Sequence, residues 1–176
     1  PDGSASRGYE VHLPLSADLM IGLPGQTVES FAQDLQFLMD HDVPARMWPA
    51  QLLPNAPMND PAYRAEHGIV ADEHSVILSS ASFTLEDRSE MLRLRHAYTV
   101  FERYGLLRHV ARFLQWDHGV PAMDLILRIL EVSREDPERY PLLDWIVRYF
   151  DYFNVAPLGW ASYAAEVRRF VQAEFG

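Results

Sequence analysis

Asp18-Leu-Met-Ile-Gly-Leu-Pro-Gly-Gln-Thr27 is the stretch that decides the fold. Its apolar centre predicts a buried strand over 17–22. Gly22, Pro24 and Gly25 then break the extended run and predict a tight turn. Thr27 is suited to cap a following helix, in which Val28, Phe31, Leu35 and Leu38 recur at helical spacing. Gln33, Asp34, Gln36 and Asp40 fall on the wetter face. The helix should end by Val43, because Pro44 restricts the residue before it. A second strand is expected within 45–53, interrupted by Pro49. Strand, helix and strand together predict a parallel pair joined by a right-handed crossover.

Outward from this unit the signals weaken and then change. Residues 1–14 carry Gly3, Ser4, Ser6 and Gly8, and read as an incompletely structured lead. Val11 and Leu13 could add a short edge strand, ended by Pro14. Pro54, Asn55, Pro57, Asn59, Asp60 and Pro61 predict a long turn-rich loop. A short helix is expected over 62–67, and a third strand, diluted by serine, over 75–83. From Glu86 the pattern is helical. Stripes run through Met91, Leu94, Tyr98 and Phe101, and through Leu107, Val110 and Leu114. Others run through Met123, Ile126, Leu127 and Leu130, through Leu142, Ile146, Phe150 and Phe153, and through Trp160, Tyr163, Val167, Phe170 and Val171. Short connections favour packing between neighbouring helices. The division is an α/β segment over 1–85 and a helical region over 86–176.

The 176 residues are enough to bury a core, and 48% are apolar against 23% charged, ordinary values for a globular chain. The net charge of −10 argues against a nucleic-acid phosphate surface, though not against a small basic pocket. The absence of cysteine excludes disulfides, cysteine nucleophiles and thiolate metal sites. No run of eighteen apolar residues marks a membrane span, and a cytoplasmic location is expected.

The glycine turn is the first candidate site. Gly22 and Gly25 can adopt positive φ and let a ligand approach the backbone. The first amides of the helix lack internal acceptors and could face a carboxylate, a phosphate or a polar cofactor edge. The same turn also serves folding alone. It lacks the lysine of a phosphate loop, and Gly22-Leu-Pro-Gly25 has the wrong spacing for a dinucleotide fingerprint.

The ordered series DLMIGLPGQT, ESFAQDLQFL, QLLPNAPM and SSASFTLEDRSEM resembles the radical SAM superfamily, particularly members that also carry a cobalamin-binding domain. The resemblance covers roughly residues 17–117. It implies an α/β fold: a fragment of a radical-SAM-like partial (β/α) barrel followed by a helical carboxyl-terminal region. Family members hold a four-iron cluster on an upstream CxxxCxxC loop and use it to cleave S-adenosylmethionine to a 5′-deoxyadenosyl radical, often for methyl transfer. This sequence lacks that loop and the cobalamin domain. The implied function is therefore that of a carboxyl-terminal portion that closes the S-adenosylmethionine and substrate pocket and is not active alone. S-adenosylmethionine, a [4Fe-4S] cluster and cobalamin belong to the complete parent, and the implied partners are its amino-terminal cluster and cobalamin regions. No cofactor is assured for this chain by itself. By resemblance Asp18 through Gly22 match a barrel strand beside the cofactor, Gly22 and Gly25 the turn after it, and Gln26 a position where glutamate is also common. Gln51 and Leu53 through Asn55 match the end of the next strand. The implied cofactor-binding residues are Asp18, Gly22, Gly25, Gln26, Gln51 and Asn55, with no catalytic or metal-ligating residue.

Other groups offer alternatives. His12 could meet Asp18, and His41 suits the carboxyl end of a helix. His67 and His74, with Glu66, Asp72 and Glu73, could join a metal site or a proton relay, or form a solvated loop. Asp117 and His118 fit a base or a polar helix end. Ser79, Ser80 and Ser82 lack a nucleophile-elbow setting. Arg93 and Arg95 could bind a carboxylate or form local ion pairs. Trp116, Trp145 and Trp160 fit a core or an assembly face. The competing functions are a noncatalytic interaction or small-ligand-binding domain on the same scaffold, and a hydrolase built from scattered acids and histidines.

Overall fold

The structure is a computed structural model that describes residues 15–153 and 159–176, with 150–153 described by backbone alone. The lead over 1–14, its edge strand, His12, and the side chains of Phe150 and Phe153 lie outside the described residues. Strand β1 (Ala17–Ile21) leads through the glycine turn into helix α1 (Val28–Asp40), which returns to strand β2 (Ala45–Pro49). The two strands pair in parallel, with Asp18 opposite Arg46 and Met20 opposite Trp48. Thr27 caps α1 as its side chain allows: the Ser30 N–H donates to Thr27 Oγ1 and the Thr27 N–H donates to Ser30 Oγ. The capping partner at the third helical position is thus a serine rather than a glutamate. Phe31, Leu35, Leu38 and Met39 bury one face of α1, whereas Val28 is only half-buried. Removing a side chain such as Phe31 or Leu35 from water contributes about 1.5–3 kcal/mol.

Pro49 is compatible with β2 because of the direction of its ladder. The Ala17 N–H donates to the Pro44 carbonyl and the Ala50 N–H donates to the Ile21 carbonyl. Residues 46, 48 and 50 therefore aim their amides at β1, and 45, 47 and 49 aim away. A proline at 49 removes no bond from the ladder. The outward amide of Ala45 donates to Tyr98 Oη at 3.2 Å.

A short helix α2 (Pro61–Glu66) and a hairpin of β3 (Val70–Ala71) and β4 (Ile77–Ser79) follow. Asp60 caps α2 by accepting from the Ala62 and Tyr63 amides. The third strand expected over 75–83 is thus confined to 77–79, and its partner β3 was not foreseen. The partial barrel is not formed. Among the described residues there are two sheets of two strands, β1–β2 and β3–β4, and neither closes. The cause lies after β2. The connection from β2 to β4 is long enough for a parallel crossover, but it is spent on the short helix α2 and the β3 arm of a hairpin rather than on a helix that packs back across the sheet. The chain then returns antiparallel, with Gln51 bridged to Val76.

The second half consists of α3 (Leu85–Tyr98), a wide π-helical turn at Thr99–Arg103, α4 (Arg108–His118), α5 (Ala122–Glu135), α6 (Pro141–Phe153) and α7 (Trp160–Glu174). Most expected stripe residues are buried, but Leu127 and Trp160 are exposed. Helix α3 packs on α1, β1 and β4, so buried side chains from both halves form one cluster. Pro121 gives α5 no side-chain cap. Glutamines from two other helices serve instead: Gln36 Oε1 of α1 accepts from the Met123 N–H and Gln115 Oε1 of α4 from the Ala122 N–H. Gln36, expected on the wet face of α1, is half-buried for this reason. Among the described residues no helix is long and apolar enough to cross a membrane.

Candidate functional site

The parallel pair has one covered face and one open face. Ala17, Leu19, Ile21, Ala45 and Met47 point to the helices, whereas Asp18, Met20, Arg46 and Trp48 are exposed. Parallel strands are normally covered on both faces. An open face on a parallel pair is therefore the most unusual surface of the fold. It carries a carboxylate, a thioether, a guanidinium and an indole. Trp48 Nε1–H donates to Asp18 Oδ1 at 3.3 Å, which holds the ring across β1 while leaving it half exposed.

At the carboxyl ends of the strands the turn forms a rim. Gly22 has φ 94° and Gly25 φ 92°. A side chain on Gly22 would also meet Phe83, whose Cζ lies 3.4 Å from the ideal Cβ position. Both glycine amides are engaged. The Gly22 N–H donates to Gln26 Oε1 at 2.7 Å, and the Gly25 N–H to Ser82 Oγ at 2.9 Å. Gln26 Nε2 in turn donates to the Met20 carbonyl at 3.1 Å. Gln26 therefore bridges a donor and an acceptor, which glutamate at neutral pH cannot do. We expect Gln26→Glu to lower stability by about 1–3 kcal/mol, read as a fall in the midpoint of thermal or urea unfolding; an unchanged midpoint would show that the bridge contributes nothing.

The structure brings Gly22, Gly25 and Gln26 together in the turn, with Gln51 beside them, since Ala50 pairs with Ile21. It does not bring all six expected residues to one point. Asp18 lies four residues back along β1, about 13 Å from Gly22 at the rise of a strand. Asn55 stands in the turn that follows Leu53, and no hydrogen bond links it to Gly22 or Gln26. Gln51 and Asn55 are exposed, and among the described residues their carboxamides have no hydrogen-bond partner. They, with Trp48, are the groups of this region still available to a ligand.

Several of the alternative residues have local partners. His41 Nδ1 lies 2.8 Å from the Phe37 carbonyl at the end of α1. His67 ends α2, and His74 pairs with the adjacent Glu73 at 3.5 Å. His118 sits on the edge of Phe113. Ser80 and Ser82 bond each other, and Ser82 holds the glycine turn. Trp116 is 74% exposed, so it is no part of the core. Among the described residues no group of three histidine, cysteine or acidic side chains could hold a metal. Together with the absence of cysteine, this corrects the iron–sulfur and cobalamin features attached to the resemblance: this chain's residues do not fit such a centre.

Sequence reading missed the buried ion pair of Glu102 and Arg112, whose Nη2–Oε1 distance is 2.8 Å. Arg108 and Asp42 extend it, pairing at 2.6 Å. Burial pushes the Glu102 carboxyl up from its ordinary value despite both guanidiniums. The Arg108 hydrogen bond holds Asp42 below the usual aspartate range. The only sequence signal was a glutamate one place past Phe101 in an apolar stripe. Compared with known proteins, the chain matches no family model and no curated protein.

Proposed function

We propose that this chain forms one wall of the S-adenosylmethionine and substrate pocket of a radical SAM enzyme, with the reductive metal chemistry supplied outside the chain. The single observation that supports this is the open face of the β1–β2 pair, since parallel strands call for cover on both sides. Trp48 offers a plane on which adenine can stack. Gln51 and Asn55 offer both donors and acceptors for ribose hydroxyls or a base edge. The turn at Gly22–Gln26 does not donate to the ligand; it fixes the rim on which these groups stand. In this reading the chain works in the cytoplasm and has no activity alone.

The test uses the full-length protein made from the native gene. Its reading frame should contain CxxxCxxC upstream of Asp18, and Trp48→Ala and Gln51→Ala should each weaken S-adenosylmethionine binding about tenfold, equivalent to roughly 1.4 kcal/mol. A frame without that motif, or binding indifferent to both substitutions, overturns the proposal.

A second reading is a noncatalytic docking module, favoured by Phe113 and Trp116, which are 51% and 74% exposed on α4. It requires the chain to form a stable complex in its source extract. A monomeric mass on size-exclusion chromatography with light scattering would count against it.

A further inference from the structure

A cleft of about 920 Å³ lies beside β2, walled by α3, the π-helical turn, α5 and α6. Its lining contains Arg46, Arg93, Arg95, Arg103, Arg134 and Arg148, and none of the described lining residues is acidic. The chain has 15 basic residues against 25 acidic ones, so this concentration runs against its overall charge. Among the described residues, local carboxylates neutralise it only in part. Arg93 and Arg134 share one partner, Glu90, at 3.2 and 2.7 Å. Arg148 pairs with Asp144 at 2.7 Å. Among the described residues, Arg46, Arg95 and Arg103 have no side-chain hydrogen bond or ion-pair partner. Like charges gathered in a concave, partly desolvated space repel one another, and a bound anion removes that repulsion.

We infer that this cleft binds a small organic oligoanion, one carrying at least two phosphate or carboxylate groups. The volume lies in the range of small-ligand sites. Guanidinium forks match both anion types and make strong charge-assisted bonds to them. Arg46, Arg95 and Arg103 come from β2, α3 and the π-helical turn, so they approach from separate elements rather than from one solvated helix face. Trp48, on the cleft wall, adds an apolar plane for the organic part of the ligand. An extended polynucleotide is disfavoured, because the positive charge is confined to the cleft on a chain of net charge −10. The inference stands on the cleft's own residues and does not require the S-adenosylmethionine reading.

Isothermal titration of the 176-residue chain with inorganic pyrophosphate and with citrate, at ionic strength matched by sodium chloride, tests it. Saturable binding of one anion per chain is expected, weakening steeply as salt is raised. Tighter binding of pyrophosphate assigns a phosphate ester, and tighter binding of citrate a polycarboxylate. The double substitution Arg95→Gln with Arg103→Gln should weaken binding about tenfold or more. The double substitution Arg168→Gln with Arg169→Gln, which removes the same two charges from exposed sites on α7, should leave it unchanged. Should the cleft double variant unfold, Arg46→Gln on the open strand face carries the same expectation. No saturable binding, equal loss in the α7 control, binding unaffected in the cleft variants, or binding of single-stranded RNA alone would each overturn the inference.

Discussion

Replacing Arg112 with methionine is expected to cost about 3–5 kcal/mol of folding stability. The substitution keeps much of the side-chain volume but leaves Glu102 as a buried charge whose nearest remaining cation is Arg108, at 3.4 Å. Both Glu102 and Arg112 are at most 7% exposed, so water cannot take the place of the lost partner. Replacing both residues with methionine should recover most of the loss, because a buried pair exchanged for apolar groups of similar volume is often neutral. Chemical denaturation of the two single variants and the double variant measures this cycle. The pH dependence has a definite sign. Burial already raises the Glu102 carboxyl above its ordinary 4.5, and loss of Arg112 raises it further. A carboxyl whose folded value exceeds its unfolded one opposes folding fully above both values and not at all below both. The deficit of Arg112→Met should therefore be full at pH 8 and shrink on acidification towards 4.5. A deficit independent of pH would show that lost packing, not the stranded charge, is responsible.

Glu166→Leu is the second large effect, expected at about 2–4 kcal/mol. Glu166 lies on α7, yet its Oε1 accepts from the Leu142 and Leu143 amides at 2.7 and 2.9 Å. It thus closes the amino end of α6 from another helix and places a negative charge at the positive end of that helix. Leucine fills the space but leaves two amides without an acceptor, one of them buried. Glu166→Gln keeps an acceptor oxygen and should cost less than half as much. Equal losses for the two substitutions, compared by urea unfolding, would indicate that shape rather than the cap decides.

These two cases show where the fold was legible in sequence. The β1–turn–α1–β2 unit could be read because its determinants are local: an apolar run, glycines at positive φ, a threonine cap and a proline that stops the helix. The stripes of α3 to α5 could be read because a 3.6-residue period is visible in one dimension. What could not be read depends on contacts distant in sequence. Gln36 looks like a surface residue until α5 brings amides to it. Ser82 looks like a weak strand residue until the Gly25 amide reaches it, and Glu166 like an ordinary helix-surface acid. The barrel expectation failed at a similar point, since local strand signals do not show whether the next strand returns parallel or antiparallel. At the candidate site the glycine turn was found, but what holds it was not: Gln26 and Ser82 accept from the two glycine amides, while of the first amides of α1, the ones expected to face a ligand, that of Ser30 is taken by the Thr27 cap. The arginine cleft was only partly visible, through Arg93 and Arg95, because its walls come from five elements.

The π-helical turn at Thr99–Arg103 has a consequence for how the cleft can change. The wide turn accommodates one more residue than an α-helical turn would. It lets Val100, Phe101 and Glu102 all be buried while Arg103 reaches the cleft. Deleting a single residue here would tighten the turn and swing Arg103 about 100° around the helix axis, leaving the preceding helix in phase. The length of this one turn thus couples the cleft to the core: a one-codon deletion that redirected Arg103 would also displace Phe101 and the buried Glu102.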